Sequence, residues 1–260
     1  MPAVRIVVNA PDGECPAYVV TPATALADAV PAAALDSAGG PWPAVIFYGD
    51  AGGLRPAMVE MAETVAAAGY LVLVPDVYYR VGPYTPLVPK EVFAGDVGAI
   101  LGPLMSTTGN DKAARDTEAF LGWLDACPDV RKGKVGAVGF CMGGGMALSA
   151  AAAWPDRIAA VASFHGGHLA SDDTASPHRR VGTIRGEVYI ASAGQDDFYP
   201  PDMAARFESA LDKAGVNYVA EEYAGAAHGW MVPDFPVYDA GSAYLGWQKL
   251  TSLFDRILKS

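Results

Sequence analysis

The run Lys134-Val-Gly-Ala-Val-Gly-Phe-Cys-Met-Gly-Gly-Gly-Met-Ala-Leu148 reads as a strand, a tight turn and a helix in immediate succession. Lys134 to Val138 alternates β-branched and small residues, as a buried strand does, and Met142 to Ala153 is an alanine-rich helical stretch. Gly139-Phe140-Cys141-Met142-Gly143 joins them, which is the G-x-S-x-G elbow with cysteine in the serine position. Such a turn is strained, and its flanking positions must lack side chains that would collide across it. It holds the sulfur clear of the sheet at the positive end of a helix, which favours thiolate over thiol. The same pentapeptide also fits any glycine-rich strand–helix turn in which a cysteine merely packs, so its partners decide the matter.

The rest of the chain repeats the strand–helix alternation. Strands are expected at Ala44–Tyr48, Leu71–Pro75, Ala159–Phe164, Glu187–Ala193 and Tyr218–Tyr223, and helices at Pro56–Ala68, Asp111–Ala126, Pro201–Lys213 and Ala240–Leu258. This pattern predicts a mostly parallel central sheet with helices on both faces and a site beyond the carboxyl ends of the strands. An antiparallel hairpin, Arg5–Val8 and Ala17–Thr21 around Pro11-Asp12-Gly13, opens the chain. Pro22 to Pro43 reads as a surface excursion, with room for a short helix around Ala23–Ala34. Asp76 to Asn110, carrying Tyr78, Tyr79, Arg80 and Tyr84, is long for a connection and is expected to wall the site.

With 260 residues and 52% hydrophobic content, the chain fits one domain over residues 1–260. A net charge of −11 argues against nucleic acid or an anionic membrane as partner. Cys15, Cys127 and Cys141 are too scattered for a disulfide framework or a zinc cluster, and the start lacks a leader-like apolar stretch. Both point to the reduced cytoplasm. Neither a monomer nor a homodimer is excluded.

A thiol nucleophile needs a base, and the base needs an orienting acid. The strand from Val188 ends in a turn with Asp196 and Asp197, and the strand from Val219 ends in a loop with His228. The order nucleophile, acid, histidine is that of α/β-hydrolases. Asp196 alone could cap the following helix, a role that falls instead to Asp197, and His228 alone could be a solvated loop residue. An oxyanion hole would draw its donors from the N–H of Met142 and from Ile46-Phe-Tyr-Gly-Asp-Ala-Gly-Gly53, where Ala51 is the candidate. His165, His168 and His178 cluster in sequence, yet no Cys or carboxylate pair completes a metal-ligand set.

Gly139-Phe-Cys-Met-Gly-Gly, Val74-Pro-Asp-Val-Tyr-Tyr-Arg80, Ala193-Gly-Gln-Asp196 and Ala226-Ala-His228-Gly together resemble the dienelactone hydrolases, from about Ala44 to Leu258. The resemblance implies an α/β-hydrolase fold and hydrolysis of a small lactone or activated ester through an acyl-cysteine, without metal or organic cofactor. By position it makes Cys141 the nucleophile, His228 the base and then the acid, and Asp196 its orienting group. It also implies a carboxylate that modulates the thiol after the first core strand, a place that Asp50 rather than Glu holds in this chain. Arg80 matches one of two arginines that bind a substrate carboxylate, but the stretch after His228 offers no second arginine. Tyr48, Phe140 and Trp230 suggest a more apolar pocket. Two other readings stay open: a promiscuous carboxylesterase on neutral aryl or alkyl esters, and a non-hydrolytic thiol-bearing binding or redox protein.

Overall fold

In the computed structural model, residues 3–22 and 39–260 are described. The short helix expected around Ala23–Ala34 lies outside them. Eight strands form one sheet: β1 (Val4–Ala10), β2 (Gly13–Val20), β3 (Ala44–Tyr48), β4 (Leu71–Pro75), β5 (Val135–Phe140), β6 (Ile158–Phe164), β7 (Glu187–Gln195) and β8 (Tyr218–Ala227), in the order β1-β2-β4-β3-β5-β6-β7-β8. β1 pairs antiparallel with β2 and β2 antiparallel with β4, and every other pair is parallel.

The α-helices among the described residues are α1 (Pro56–Ala67), α2 (Pro89–Ala94), α3 (Val97–Met105), α4 (Asn110–Ala126), α5 (Met142–Ala153), α6 (Pro201–Ala214) and α7 (Ala240–Leu258). The central strands are buried on both sides, so alternate residues feed two cores. Ala44, Ile46 and Tyr48 of β3 join a core with Phe120 and Leu124 of α4, Leu148 of α5 and Phe207 of α6. Val45 and Phe47 join the opposite core, with Met58 and Met61 of α1 and Leu250 and Phe254 of α7. Gly136 of β5 marks how closely α7 packs: a Cβ there would sit 2.9 Å from Leu258 Cδ1.

α2 and α3 lie within the long connection from Asp76 to Asn110 expected to wall the site. Their starts carry ordinary signals: Pro89 in the first turn of α2, and an Asp96 carboxylate accepting the Ala99 N–H at 3.0 Å before α3. β8 runs four residues past the expected Tyr223. Ala224-Gly-Ala-Ala227 has little strand preference of its own, and its place comes from pairing with β7, which ends with Gln195 opposite Ala227.

Candidate active site

β5 delivers Cys141 to the carboxyl edge of the sheet, at the head of α5. Its backbone has φ 53° and ψ −119°, a left-handed conformation that a side-chain-bearing residue adopts only when its surroundings impose it. A Cβ on Gly139 would overlap the Gly143 carbonyl, and one on Gly143 would overlap the Tyr48 and Gly49 carbonyls. The glycines thus let strand, turn and helix close on one another. The Cys141 N–H is shared between the Phe164 carbonyl and His165 Nδ1, both at 3.1 Å.

The ends of β7 and β8 meet this elbow. His228 Nε2 lies 3.0 Å from Cys141 Sγ, and His228 Nδ1 lies 2.8 Å from Asp196 Oδ2. The other Asp196 oxygen accepts the Phe198 N–H at 2.9 Å, and the His228 N–H donates to the Gln195 carbonyl at 3.2 Å. The Asp196 side chain is 1% exposed and that of His228 15%. Burial opposes a charged imidazole, but the hydrogen bonds to Asp196 and Cys141 outweigh it and push His228 up to about 10. Asp197 stays exposed.

Ala51 and Met142 both approach the hydroxyl of the buried Tyr78, which donates to the Ala51 carbonyl at 3.0 Å and lies 3.7 Å from Met142 Sδ. Burial, and then the nearby charges of Asp50 and Cys141, raise the Tyr78 phenol, so it remains a neutral donor. Met142 begins α5, where the first N–H has no intrahelical acceptor, and the Ala51 N–H makes no hydrogen bond among the described residues.

Asp50 sits away from the thiol's hydrogen bonding. It is fully buried and grips Arg55 through Oδ1–Nη1 at 2.6 Å and Oδ2–Nη2 at 2.9 Å, while Oδ1 also accepts the Gly52 N–H at 2.7 Å. Arg80 donates from Nε to Asp12 and from Nη2 to Asp116, both at 2.7 Å, with Tyr79 stacked on its guanidinium. Tyr48, Phe140 and Trp230 are fully buried. The Tyr48 hydroxyl pairs with Thr117 at 2.6 Å, Phe140 stacks on Phe164, and Trp230 stacks on Tyr223 at 4.3 Å, so none of them offers surface to a substrate.

The exposed rim is made by other residues. Phe198, half exposed, sets its ring 4.9 Å from that of His228, and Gly167 keeps the space beside the imidazole open. Phe198 gave no sequence signal beyond following Asp196 by two. His165 is fully buried with φ 39°, and burial, then the neighbouring His228, hold its pKa well below the usual histidine value. His178 bonds Ser176 and His168 stays exposed. Among the described residues no three His, Cys, Asp or Glu side chains are grouped to hold a metal ion. Nor is any described helix long and apolar enough to cross a membrane.

The sheet order, the elbow and the strand-end position of these residues are those of an enzyme of α/β-hydrolase fold. The chain belongs to the dienelactone hydrolase family, whose profile matches residues 30–258. A Synechocystis protein provisionally named carboxymethylenebutenolidase is 30% identical over 228 residues, covering 85% of this chain and 88% of its own. A Klebsiella pneumoniae crystal structure, provisionally named a dienelactone hydrolase, superposes with a TM-score of 0.81 over 98% of both chains at 22% identity. A dienelactone hydrolase-like promiscuous phosphotriesterase from metagenomic libraries does so with 0.73 over 99% of each chain, also at 22% identity.

Proposed function

We propose that this hydrolase cleaves a small lactone or activated carboxylic ester through an acyl-cysteine, with Cys141 as nucleophile, His228 as acid and base, and Asp196 orienting His228. The observation that carries this reading is the contact chain Asp196–His228–Cys141, 2.8 Å and 3.0 Å long, at the ends of three parallel strands. In the first half-reaction the thiolate attacks the carbonyl carbon and a C–S bond forms. The resulting oxyanion is received by the N–H groups of Met142 and Ala51. Collapse breaks the C–O bond, and the imidazolium gives its proton to the leaving alkoxide, which in a lactone remains tethered to the acyl group. Water then attacks the thioester, passing a proton to His228; the C–S bond breaks, releasing the acid and restoring the thiolate–imidazolium pair.

A raised His228 has a signed consequence. Below about pH 10 the imidazole holds the proton that the leaving group needs, and above it that proton is gone. Hydrolysis of an alkyl acetate is expected to fall as pH rises through this range, while an aryl acetate, whose phenolate leaves unaided, declines less. Paired pH–rate profiles check this, and superimposable profiles contradict it.

Neutral esters are favoured over anionic lactones, because one candidate charge-handling group is already engaged and the other is missing after His228. A substrate carboxylate would compete with Asp12 and Asp116 for Arg80, and the position expected to carry a second arginine, shortly after His228, leads instead to Asp234. A turnover screen of p-nitrophenyl acetate against an anionic dienelactone tests this. The neutral ester is expected to show the higher kcat/KM, and a preference for the dienelactone overturns this substrate assignment.

A further inference from the structure

We infer that Arg55 is a positioning residue that holds the oxyanion loop and the histidine loop in fixed relation, an inference that rests on the reaction proposed above. Its guanidinium is clamped from two sides. Asp50 takes Nη1 and Nη2, while Asp234 takes Nε and Nη2 at 2.8 Å each, and Nη1 also donates to the Gly53 carbonyl at 3.3 Å. The Arg55 side chain is 1% exposed, Asp50 0% and Asp234 33%. Burial opposes the charge of Arg55, but the hydrogen bonds to Asp234 and Asp50 outweigh it, so the cation is held firmly.

A buried ion pair of this kind is a poor device for stability, since apolar replacements of similar volume often stabilise as well or better. What two bidentate contacts supply is direction. On one side they fix the turn that contains Ala51: the Asp50 carboxylate accepts the Gly52 N–H, the Asp50 carbonyl accepts the Gly53 N–H at 3.2 Å, and Arg55 holds the Gly53 carbonyl. Ala51 is thereby presented with an N–H that has no acceptor among the described residues. On the other side, Asp234 and Phe235 belong to the loop that leaves His228. The Phe235 ring lies 5.5 Å from the Arg55 guanidinium and packs against Gly229, the residue after His228, which has φ 97°. One side chain therefore connects a candidate oxyanion donor with the backbone beside the imidazole, through an Arg55–Asp234 contact that spans 179 positions of the chain.

The test compares Arg55→Ala, Arg55→Lys and Asp234→Asn with the parent on p-nitrophenyl acetate, measuring kcat, KM, the rate of Cys141 acylation by mass spectrometry, and thermal melting. Displacing catalytic groups by about 1 Å lowers rates about 100-fold. Accordingly kcat and the acylation rate are expected to fall about ten- to hundred-fold in folded variants, with KM nearly constant. Added guanidinium ion is expected to restore part of the rate to Arg55→Ala, and Arg55→Lys, which keeps charge without the two-sided fork, to stay slow. If Arg55→Ala does not fold, the partly exposed Asp234→Asn carries the comparison. Variants that melt lower but acylate at the parent rate overturn the positioning role alone. A parent enzyme whose Cys141 no ester acylates overturns both this inference and the proposed reaction.

Discussion

Replacing Cys141 with alanine is expected to lower kcat/KM for p-nitrophenyl acetate by about 10⁴-fold or more, since removing the nucleophile of such a unit leaves only binding and oxyanion stabilisation. The thermal midpoint is expected to change little. Cys141 is partly exposed, and among the described residues its Sγ has one hydrogen bond, to His228. The strained φ of 53° remains in the variant because the close approach of the backbone at Gly139 and Gly143 and the donation of the residue 141 N–H to the Phe164 carbonyl and His165 Nδ1 do not involve the Cys141 side chain. Steady-state kinetics beside a melting curve separate the two effects. A variant retaining a tenth of the activity contradicts the assignment of the nucleophile.

The second large effect is one of stability. Asp50→Asn keeps the shape of the side chain but removes one of the two charges that neutralise the buried Arg55, leaving Asp234 as its remaining carboxylate partner. Breaking a buried pair by removing one partner typically destabilises by about 3–5 kcal/mol. Denaturant unfolding is expected to show a loss in this range. The loss should be smaller for Asp234→Asn, because Asp234 is one-third exposed and water can replace it. Were Asp50 to act on the thiol, as the family resemblance implies, and not through Arg55, the main effect would fall on the pH dependence of acylation with stability little changed. Equal stabilities of Asp50→Asn and the parent would contradict the role drawn from the Arg55 contact.

Much of the fold was legible because the central strands are short apolar runs separated by helical stretches, a pattern with few sheet solutions. Cys141, Asp196 and His228 could be singled out for the same reason: each follows a strand, and strand ends converge at one edge of a parallel sheet. What the sequence hides is the direction of side chains and the pairing of distant charges. Tyr48 shares its face with Ala44 and Ile46, and Phe140 shares its face with Val138, so counting alternate residues points both into the cores. Their aromatic character suggests pocket walls, but that parity places them in the cores. Arg55 offered no motif. It precedes Pro56 at the start of α1, and nothing in the local chain indicates that its guanidinium turns back to Asp50 and across to Asp234. Arg80 could be matched by motif, but its engagement by Asp12 from the hairpin turn and Asp116 from α4 depends on tertiary packing.

The proposed reaction stands or falls on a covalent acyl group forming on Cys141. Rapid quenching of the enzyme with p-nitrophenyl acetate, followed by peptide mass mapping, tests it directly. One acetyl group on the peptide containing Cys141, appearing within the first turnover and disappearing as substrate is exhausted, is the predicted result. Steady turnover with Cys141 unmodified, or an acetyl group on another residue that forms and decays at the rate of turnover, would contradict it.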